Sequence, residues 1–345
     1  MNDKSCVDPA ERHRKVAVIT GVNVGGIGYG IAERLLELIP CEALVLVFAC
    51  RSHTRANNVR QSFLNRYPHA TIDLVTIDLN QFTSVMQACQ DIQHRYHHVD
   101  YLFLNAGYLS ALGLRWGSLV SLFLKSPTAL MESSDATIQA TGEINNDGLG
   151  KVFATNVFGH YVMIRQLESL LGNAKDHGRV IWTSSSTASS EFFTLDDWQG
   201  VKATLPYESS KWACDLLAVA TNDYFMQQTL NIRSFTTSPG VVASHIGNLP
   251  LWVIYLRSLI HWLFRLFGLA SQNINGYRGA MAAVFVALQP LVVLNEMLRY
   301  TSETTRWGES YVKPYVLHLE VEAAWELIDR VEHQYQALLA KSKQE

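Results

Sequence analysis

Six short apolar segments, separated by amphipathic stretches, constrain the fold of this chain more than any other feature. Each segment is rich in aliphatic or β-branched residues and ends in a small or polar residue. The intervening stretches are long enough for crossover helices, and strands that alternate with helices form a parallel sheet covered on both faces. The pattern therefore predicts an α/β fold with a doubly wound parallel sheet. The predicted strands are Lys15–Thr20, Ala43–Ala49, Thr71–Ile77, Tyr101–Leu104, Arg179–Thr183 and Ile232–Thr237.

A glycine-rich turn follows the first predicted strand. Gly21, Gly26 and Gly28 lie between that strand and a helical run over Ile31–Leu38. Glycines let the backbone approach a pyrophosphate, and a helix N-terminus offers unpaired N–H groups to its charge. Strand, glycine turn and helix in this order predict a dinucleotide site in a Rossmann-like sheet. A tight turn without a ligand is the alternative.

The carboxyl ends of the other strands carry further candidate residues, because a doubly wound sheet binds its ligand at this edge. Arg51 follows the second strand, where an acidic residue would bind the adenosine ribose of NAD. A guanidinium there suits a 2′-phosphate and predicts NADPH, with a solvated arginine as the alternative. The remaining candidates at strand ends are Asp78, Asn105, Ala106, Gly107, Ser184, Ser185, Pro239 and Gly240.

Tyr207 and Lys211 form the clearest catalytic pair. Four residues apart, they lie on one helix face, one turn from each other. An ammonium beside a phenol stabilises the phenolate and lowers a pKa that is ordinarily about 10. The pair therefore predicts proton transfer to or from a carbonyl or an alcohol at neutral pH.

The ordered set of motifs resembles the short-chain dehydrogenase/reductase family over residues 15–340. In that family three residues separate the first glycine from Gly-x-Gly, whereas this chain has four before Gly26-Ile27-Gly28. The extra residue lies among Asn23–Gly25, so the glycine that contacts phosphate stays open. The motifs that carry the resemblance are Thr20-Gly21 through Gly28, Asn105-Ala106-Gly107, Asn156, Ser185, Tyr207 with Lys211, and Pro239-Gly240.

Within the family, the resemblance extends to the sterol 3-keto reductases, both the fungal 3-keto-steroid reductases and the animal type 7 17β-hydroxysteroid dehydrogenase. It implies NADPH-dependent reduction of a 3-keto sterol to the 3β-hydroxy sterol during C4 demethylation in ergosterol-type sterol biosynthesis. Two alternatives remain: an oxidoreductase of another lipid, such as a retinoid or a sex steroid, and a non-catalytic scaffold for another sterol-pathway enzyme. The runs that carry this closer resemblance are Phe48–Arg51, Thr155–His160, Ile181–Ser185, Pro206–Lys211 and Ser302–Gly308.

The resemblance also implies a role for each catalytic residue. Tyr207 would protonate the ketone oxygen, and Ser185 would hydrogen-bond to it, with the neighbouring Ser184 as the alternative serine. Lys211 would lower the pKa of Tyr207 and bind the nicotinamide ribose. Asn156 would hold a water that helps to reprotonate the tyrosine. The cofactor-binding set would be Gly21, Gly26, Ile27, Gly28, Arg51, Asp78, Asn105, Ala106, Gly107, Tyr207, Lys211, Pro239, Gly240, Val242 and Ser244.

The chain divides into a polar tail over residues 1–14 and one domain over 15–345, with an insertion at 108–147 and an apolar segment at 249–269. Arg257, His261 and Arg265 recur every four residues in that segment. A single polar stripe on an apolar helix is typical of a helix in the membrane interface. A membrane-spanning helix, or a lid or dimer surface, is the alternative.

Charge and composition limit the other partners. The net charge of −3 and the absence of basic runs with interleaved aromatics exclude nucleic acid. Neither the five cysteines nor the histidines at 94, 97 and 98 have metal-ligand spacing, and the unpaired cysteines favour a reducing compartment. The resemblance implies the endoplasmic reticulum membrane or lipid particles, with the domain facing the cytosol. It also implies a homodimer and association with oxidosqualene cyclase.

Overall fold

A central eight-stranded sheet organises one domain. The computed structural model describes residues 14–115, 137–242, 262, 264–265 and 269–343. Along the sheet the strands follow the order β12-β11-β8-β7-β4-β1-β2-β3, and every pair except β11–β12 is parallel. The sheet strands are β1 (Lys15–Thr20), β2 (Leu44–Cys50), β3 (Thr71–Thr76), β4 (Tyr101–Leu104), β7 (Gly178–Thr183), β8 (Ile232–Ser238), β11 (Leu298–Thr304) and β12 (Ser310–Val316).

Helices cover both faces of this sheet and enclose two apolar cores. Adjacent strand residues such as Val18 and Ile19 are both fully buried and belong to opposite cores, as expected for a sheet without a solvent face. The helices are α1 (Ile27–Leu38), α2 (His53–Arg66), α3 (Phe82–Arg95), α4 (Gly159–Gly172), α5 (Pro206–Gln227), α6 (Gly276–Gly279), α7 (Met281–Leu288) and α8 (Val321–Ser342). The predicted doubly wound α/β fold is confirmed.

The six predicted strands are all present and pair in parallel, with ends shifted by at most one residue, and two further strands, β11 and β12, extend the sheet. Strand β12 runs antiparallel to β11 at the edge of the sheet. The turn between them is closed by a hydrogen bond from Thr305 N to Glu309 O, with Gly308 at a φ of 95°. Pro314 has no N–H to donate, and an edge strand tolerates this loss.

Two small strand pairs extend the domain at the edge where the parallel strands end. β5 (Ala111–Leu114) and β6 (Thr137–Gln139) form an antiparallel pair at the two ends of the predicted insertion. β9 (Val241–Val242) pairs in parallel with β10 (Gln272–Ile274). The centre of the insertion, Ser244, the N-terminal tail up to residue 13 and most of the 249–269 segment lie outside the described residues. Within the described part of the chain, no helix is both long and apolar enough to cross a membrane.

Candidate active site

The glycine turn packs tightly against the end of β4. Gly21 has a φ of 73°, and a Cβ there would lie 2.9 Å from Cα and Cβ of Ala106. A Cβ on Gly28 would lie 2.8 Å from the Gly21 carbonyl oxygen and 2.9 Å from Asn105 Nδ2. Each glycine is therefore required by a close approach of backbone, as expected where a chain must pass under a dinucleotide.

The extra residue of this turn is absorbed in a local loop before α1. Gly26 N donates to Asn23 O at 2.9 Å, which closes a tight turn. Gly25, inside this turn, has a φ of 73°, and a Cβ there would meet no described atom within 4 Å. Helix α1 begins directly afterwards at Ile27, with Gly26 as its N-cap. Despite its extra residue, the turn therefore leaves the backbone at Gly25 unobstructed, next to the N-terminus of α1.

The turn is joined to the end of β4 by Thr20 and Asn105. The Thr20 hydroxyl accepts hydrogen bonds from the backbone N–H groups of Asn105 and Ala106, both at 2.9 Å. Asn105 Nδ2 donates to Thr20 O at 2.8 Å. The buried Oδ1 of Asn105 has no hydrogen-bond partner among the described residues. An orphaned acceptor beside a glycine cradle fits the hydroxyl groups of a nucleotide ribose.

Arg51 and Asp78 lie at the ends of the next two strands, β2 and β3, as the sequence predicts. Arg51 is exposed, and Ser52 after it caps α2 by accepting from Arg55 N. Asp78 is half-buried, and its Oδ1 accepts from Asn80 N at 3.0 Å. Asp78 N donates to Ser84 Oγ at 2.9 Å, which fixes the approach to α3. The Asp78 carboxylate therefore stabilises its own turn, whereas the Arg51 guanidinium is available to a ligand.

Asn156 lies in a π-helical turn, Ala154–Phe158, between the helical turn Lys151–Phe153 and α4. Its side chain is fixed on both sides: Oδ1 accepts from Tyr108 N at 2.7 Å, and Nδ2 donates to Ser210 Oγ at 2.9 Å. A π-bulge widens the helix and often marks a functional position. A Cβ on Gly107 would lie 3.6 Å from Asn156 Oδ1 and 3.7 Å from Lys211 Nζ, so both polar groups flank that glycine.

His160 connects the Asn156 turn to the glycine turn, and the motif reading gave it no role. Its Nδ1 lies 3.1 Å from Asn156 O, and its Nε2 lies 3.0 Å from Thr20 Oγ1. Burial is the main cause that lowers the pKa of His160, to about 3, so the ring is neutral near pH 7. Because a carbonyl only accepts, the neutral ring donates from Nδ1 to Asn156 and accepts at Nε2 from Thr20.

The structure distinguishes the two candidate serines. Ser184 is 2% exposed, and its hydroxyl donates to the backbone oxygen of Lys211 at 3.1 Å. The Ser185 hydroxyl instead lies 2.9 Å from Thr187 Oγ1 and near enough to Tyr207 to lower the pKa of that phenol in part. Ser185 is therefore the serine whose hydroxyl lies beside Tyr207, whereas the Ser184 hydroxyl is held by the backbone of α5.

Tyr207 and Lys211 share one face of α5, as the four-residue spacing predicts. Lys211 Nζ lies 5.6 Å from the centre of the Tyr207 ring and donates to Thr183 O at 2.7 Å. The expected lowering of the Tyr207 pKa by Lys211 stays a prediction, because burial, rather than a charge, has the largest effect on that pKa here. Burial raises the pKa of Tyr207, with smaller increases from Glu208 and Cys214, and the hydrogen bond with Ser185 lowers it only in part. Tyr207 is therefore protonated at neutral pH.

The start of α5 is held by a residue that sequence reasoning missed. Gln139, at the end of β6, accepts from Tyr207 N at 3.0 Å and donates to Glu208 Oε2 at 2.6 Å. The insertion therefore fixes the first turn of the catalytic helix. No motif or residue spacing in the insertion signals this contact.

The loop after β8 lies over the same edge of the sheet. Gly240 has a φ of 64°, and a Cβ there would lie 2.5 Å from Asn273 Nδ2. That amide donates to Pro239 O and to Ser302 O, both at 2.6 Å. Asn273, which the motif reading missed, thereby links the Pro239–Gly240 loop to β11. Val242 lies beyond the loop in β9, half-buried.

The end of the apolar segment differs from the sequence-based expectation. Arg265, expected to face a headgroup layer, is only 6% exposed. A Cβ on Gly308 would lie 3.0 Å from Arg278 Nη2 and 3.9 Å from Arg265 Nη2, so Arg265 turns toward the β11–β12 turn. Trp262 is 44% exposed. The expected polar stripe is therefore wrong at Arg265.

These features fit a dinucleotide: glycines at 21 and 28 with no room for a Cβ, a buried Asn105 oxygen without a partner among the described residues, and a buried lysine, all at one edge of a doubly wound sheet. The fold and the site define a nicotinamide-dependent oxidoreductase. The profile described as short chain dehydrogenase matches residues 15–249, and the chain belongs to the short-chain dehydrogenase/reductase family.

Two relatives agree with this assignment, and a solved structure shares the fold. The chain is 35% identical to the "3-keto-steroid reductase/17-beta-hydroxysteroid dehydrogenase 7" of Rattus norvegicus over 334 residues, covering 96% of each protein. It is 32% identical to the "3-keto-steroid reductase" of Kluyveromyces lactis, covering 87% of this chain and 88% of that protein. An uncharacterised protein from Mycobacterium paratuberculosis shares the fold, with a TM-score of 0.60, 17% identity and coverage of 95% and 97% of the two chains.

Proposed function

We propose that this protein reduces a 3-keto sterol to the 3β-hydroxy sterol with NADPH, during C4 demethylation in ergosterol-type sterol biosynthesis. The observation that carries the reaction type is the meeting of the Ser185 and Tyr207 hydroxyls beside buried Lys211. Substrate class is supported by the relatives from rat and Kluyveromyces lactis, whose names include 3-keto-steroid reductase and which match along most of their length.

A reduced nicotinamide, when bound, supplies hydride to the ketone carbon. The glycine turn and the N-terminus of α1 would bind the pyrophosphate, and Asn105 Oδ1 would accept from a ribose hydroxyl. Lys211 would bind the nicotinamide ribose. The proposed set also includes Ile27, Arg51, Asp78, Ala106, Gly107, Tyr207, Pro239, Gly240, Val242 and Ser244, of which Ser244 lies outside the described residues.

Tyr207 is the proposed proton donor. Its raised pKa keeps the phenol protonated at neutral pH, which is the form that reduction requires. As negative charge develops on the ketone oxygen, the Ser185 hydroxyl would stabilise it with a second hydrogen bond. A nearby positive charge on Lys211 would stabilise the phenolate that is left after proton transfer.

Reprotonation of Tyr207 is the proposed role of Lys211 and Asn156. Lys211 Nζ uses one of its three donor positions on Thr183 O, which leaves capacity for a ribose hydroxyl and a water. Asn156 and Lys211 approach the same glycine, Gly107, so a water between them could connect both to the bulk solvent.

The preference for NADPH is supported by the charges after β2. Arg51 is exposed at this strand end, and Arg55 lies one helical turn further on. The run from Cys50 to Ala56 contains no acidic residue that could accept both hydroxyls of an NAD ribose. Guanidinium groups bind a 2′-phosphate with charge-assisted hydrogen bonds.

We also propose that the 249–269 segment contacts the membrane interface, because a sterol ketone must be collected from a bilayer. The exposed Trp262 suits that environment. The endoplasmic reticulum membrane or lipid particles, with the domain facing the cytosol, would be the location. A homodimer through the helices around Asn156 and Tyr207, and association with oxidosqualene cyclase, are proposed partners.

One experiment tests the reductase proposal. Detergent-solubilised protein is given NADPH or NADH with a 3-keto sterol, a 17-keto steroid or retinal, and cofactor oxidation is followed. We expect turnover of the 3-keto sterol with NADPH at the highest kcat/KM. Cofactor binding without turnover of any of these substrates would contradict the reductase proposal and favour a scaffold role.

A 17-keto steroid is the second candidate substrate. It is favoured by the rat relative, whose name combines 3-keto-steroid reductase with 17-beta-hydroxysteroid dehydrogenase. Both substrates place a ketone on a rigid apolar ring system, so the same Ser185 and Tyr207 chemistry applies. A higher kcat/KM for the 17-ketone than for the 3-ketone would assign this activity instead.

A further inference from the structure

A buried ion pair lies directly behind the catalytic serine. Arg299, on β11, is only 16% exposed at its side chain, and its Nη1 lies 3.2 Å from Oδ2 of the fully buried Asp215. The same Nη1 donates to the backbone oxygen of Ser185 at 2.5 Å. One guanidinium therefore contacts both the loop that carries the serine and the helix that carries Tyr207 and Lys211.

Asp215 lies one helical turn after Lys211 on α5. Burial alone lowers the pKa of Lys211, and the charge of Asp215 acts in the opposite direction. The carboxylate thus favours the ammonium form of a lysine that is only 3% exposed. Asp215 therefore acts on Lys211 from the same helix, without contacting a substrate.

Neighbouring elements hold the serine loop at several points, and Arg299 is the side chain from another strand that donates to the backbone of Ser185 itself, whose oxygen also accepts from Ala188 N at 3.2 Å within the loop. Ser184 N donates to Thr237 O at 2.8 Å, and Ser184 Oγ donates to Lys211 O. Both of those bonds hold the preceding residue. The bond from Arg299 fixes the carbonyl of Ser185 itself, and thereby the direction of its side chain toward Tyr207.

We propose that Arg299 and Asp215 are positioning residues for the reduction, Arg299 by fixing Ser185 against Tyr207 and Asp215 by keeping Lys211 charged. The inference rests on the proposed function for its kinetic readout. A buried ion pair is weak support for a purely stabilising role, because the cost of desolvating two charges cancels much of their attraction. The position of the ion pair, between the serine loop and Lys211, instead indicates a role in catalysis.

The pair also predicts a pH dependence. Burial raises the pKa of Asp215 to about 6, while Arg299, Ser184 and Lys211 lower it. Arg299 faces it from β11, Ser184 from the end of β7, and Lys211 and Cys214 from its own helix. As the pH falls through this pKa, the carboxyl becomes neutral and the pair weakens, so kcat should fall on the acid side.

The test compares Arg299→Met, Arg299→Lys and Asp215→Asn with a matched control, Arg233→Met. Arg233 is also a partly exposed arginine on a sheet strand, 4.0 Å from Glu296 and bonded to a backbone oxygen, but it lies at the start of β8, far from the serine loop. For each variant, kcat, KM for the ketone and Kd for NADPH are measured over about pH 5–9, and kcat is corrected for the folded fraction.

We expect Arg299→Met to lower kcat by about 10–100-fold, because a 1 Å misplacement of a group at the reaction centre can cost about 100-fold, with the NADPH Kd changed less than about twofold. Its acid limb should move to higher pH, because the group that lowers the Asp215 pKa is lost. Asp215→Asn should abolish this limb, and Arg299→Lys should recover part of kcat. An Arg299→Met enzyme that matches Arg233→Met in kcat and acid limb would overturn the proposal.

A second readout separates this inference from the proposed function. In protein labelled with 13Cζ-tyrosine, the resonance that disappears in Tyr207→Phe identifies Tyr207. We expect it to shift in Arg299→Met and not in Arg233→Met, because the hydrogen bond from Ser185 is displaced. This outcome is independent of any substrate. An unmoved Tyr207 resonance in Arg299→Met would overturn the positioning role even if wild type reduces sterol ketones.

Discussion

The two halves of the sheet prepare their part of the site in opposite ways. Around β1 and β4, space is created by missing side chains, since a Cβ on Gly21 or Gly28 would collide with backbone or with Asn105. Around β7, β11 and α5, the site is filled with buried polar groups, including Lys211, Asp215 and Ser184. The first half is shaped to receive a ligand, and the second to hold reactive groups in one orientation.

This difference predicts how each half responds to mutation. Added volume in the glycine cradle should act on cofactor affinity and on stability, because backbone cannot move aside cheaply. Altered polarity in the catalytic half should act on kcat, because hydrogen bonds and charges set the reactive geometry there. A substitution in the glycine cradle that lowers only kcat, or a substitution in the catalytic half that lowers only cofactor affinity, would contradict this distinction.

The largest effect is expected for Tyr207→Phe. Loss of the proton donor should lower kcat by about 1,000-fold, while the ring still packs and NADPH still binds. The measurement is steady-state turnover beside NADPH binding by fluorescence. Retained turnover, or a loss of NADPH affinity as large as the loss of kcat, would show that the two halves are not separable at this residue.

Adjacent serines provide the next contrast. Ser185→Ala should lower kcat by about 100-fold, because one hydrogen bond to the developing charge is removed. Ser184→Ala should cost about 1 kcal/mol of unfolding free energy, with kcat changed only a few-fold. Urea unfolding and turnover of both variants give the comparison. The reverse pattern would assign the catalytic role to Ser184.

In the glycine cradle, Gly28→Ala should weaken NADPH binding by about 30-fold and destabilise the fold by about 2 kcal/mol. Its Cβ would lie 2.8 Å from a backbone oxygen that cannot retreat alone. Gly172→Ala is the matched control, because a Cβ at that helix end meets no described atom within 4 Å. Titration with NADPH and thermal unfolding measure both. Equal effects in the two variants would remove the cradle interpretation.

The smallest effect is expected for the exposed Arg51. Arg51→Ala should reduce the ratio of NADPH to NADH affinity by about tenfold, through the loss of charge-assisted hydrogen bonds. The effect should shrink with added salt, because the group is at the surface. Parallel titrations with both cofactors test this. An unchanged ratio would transfer the 2′-phosphate role to another residue.

The cofactor half was predictable from the sequence because its features are local. A glycine, a strand end or a Tyr-x-x-x-Lys spacing is visible in a short window, and β1 to β4 and Tyr207 with Lys211 were all predicted. The choice of Ser185 over Ser184 depended on side-chain direction, which three consecutive serines do not reveal.

The long-range supports could not be predicted. Arg299 reaches Ser185 across 114 positions, and Gln139 reaches Tyr207 across 68. Neither contact leaves a spacing pattern. The environment of Tyr207 is a further example, because a sequence shows the neighbouring lysine but not the burial that has the largest effect on the pKa of that phenol.

The most direct measurement is the transfer of deuterium from NADPH labelled at C4 of the nicotinamide to a 3-keto sterol, with the product analysed by mass spectrometry. We expect the wild-type protein to yield a 3β-hydroxy sterol labelled at C3, and Tyr207→Phe to yield almost none. An unlabelled product, label at another ketone position only, or equal labelling by Tyr207→Phe would contradict the proposed reduction and its proton donor.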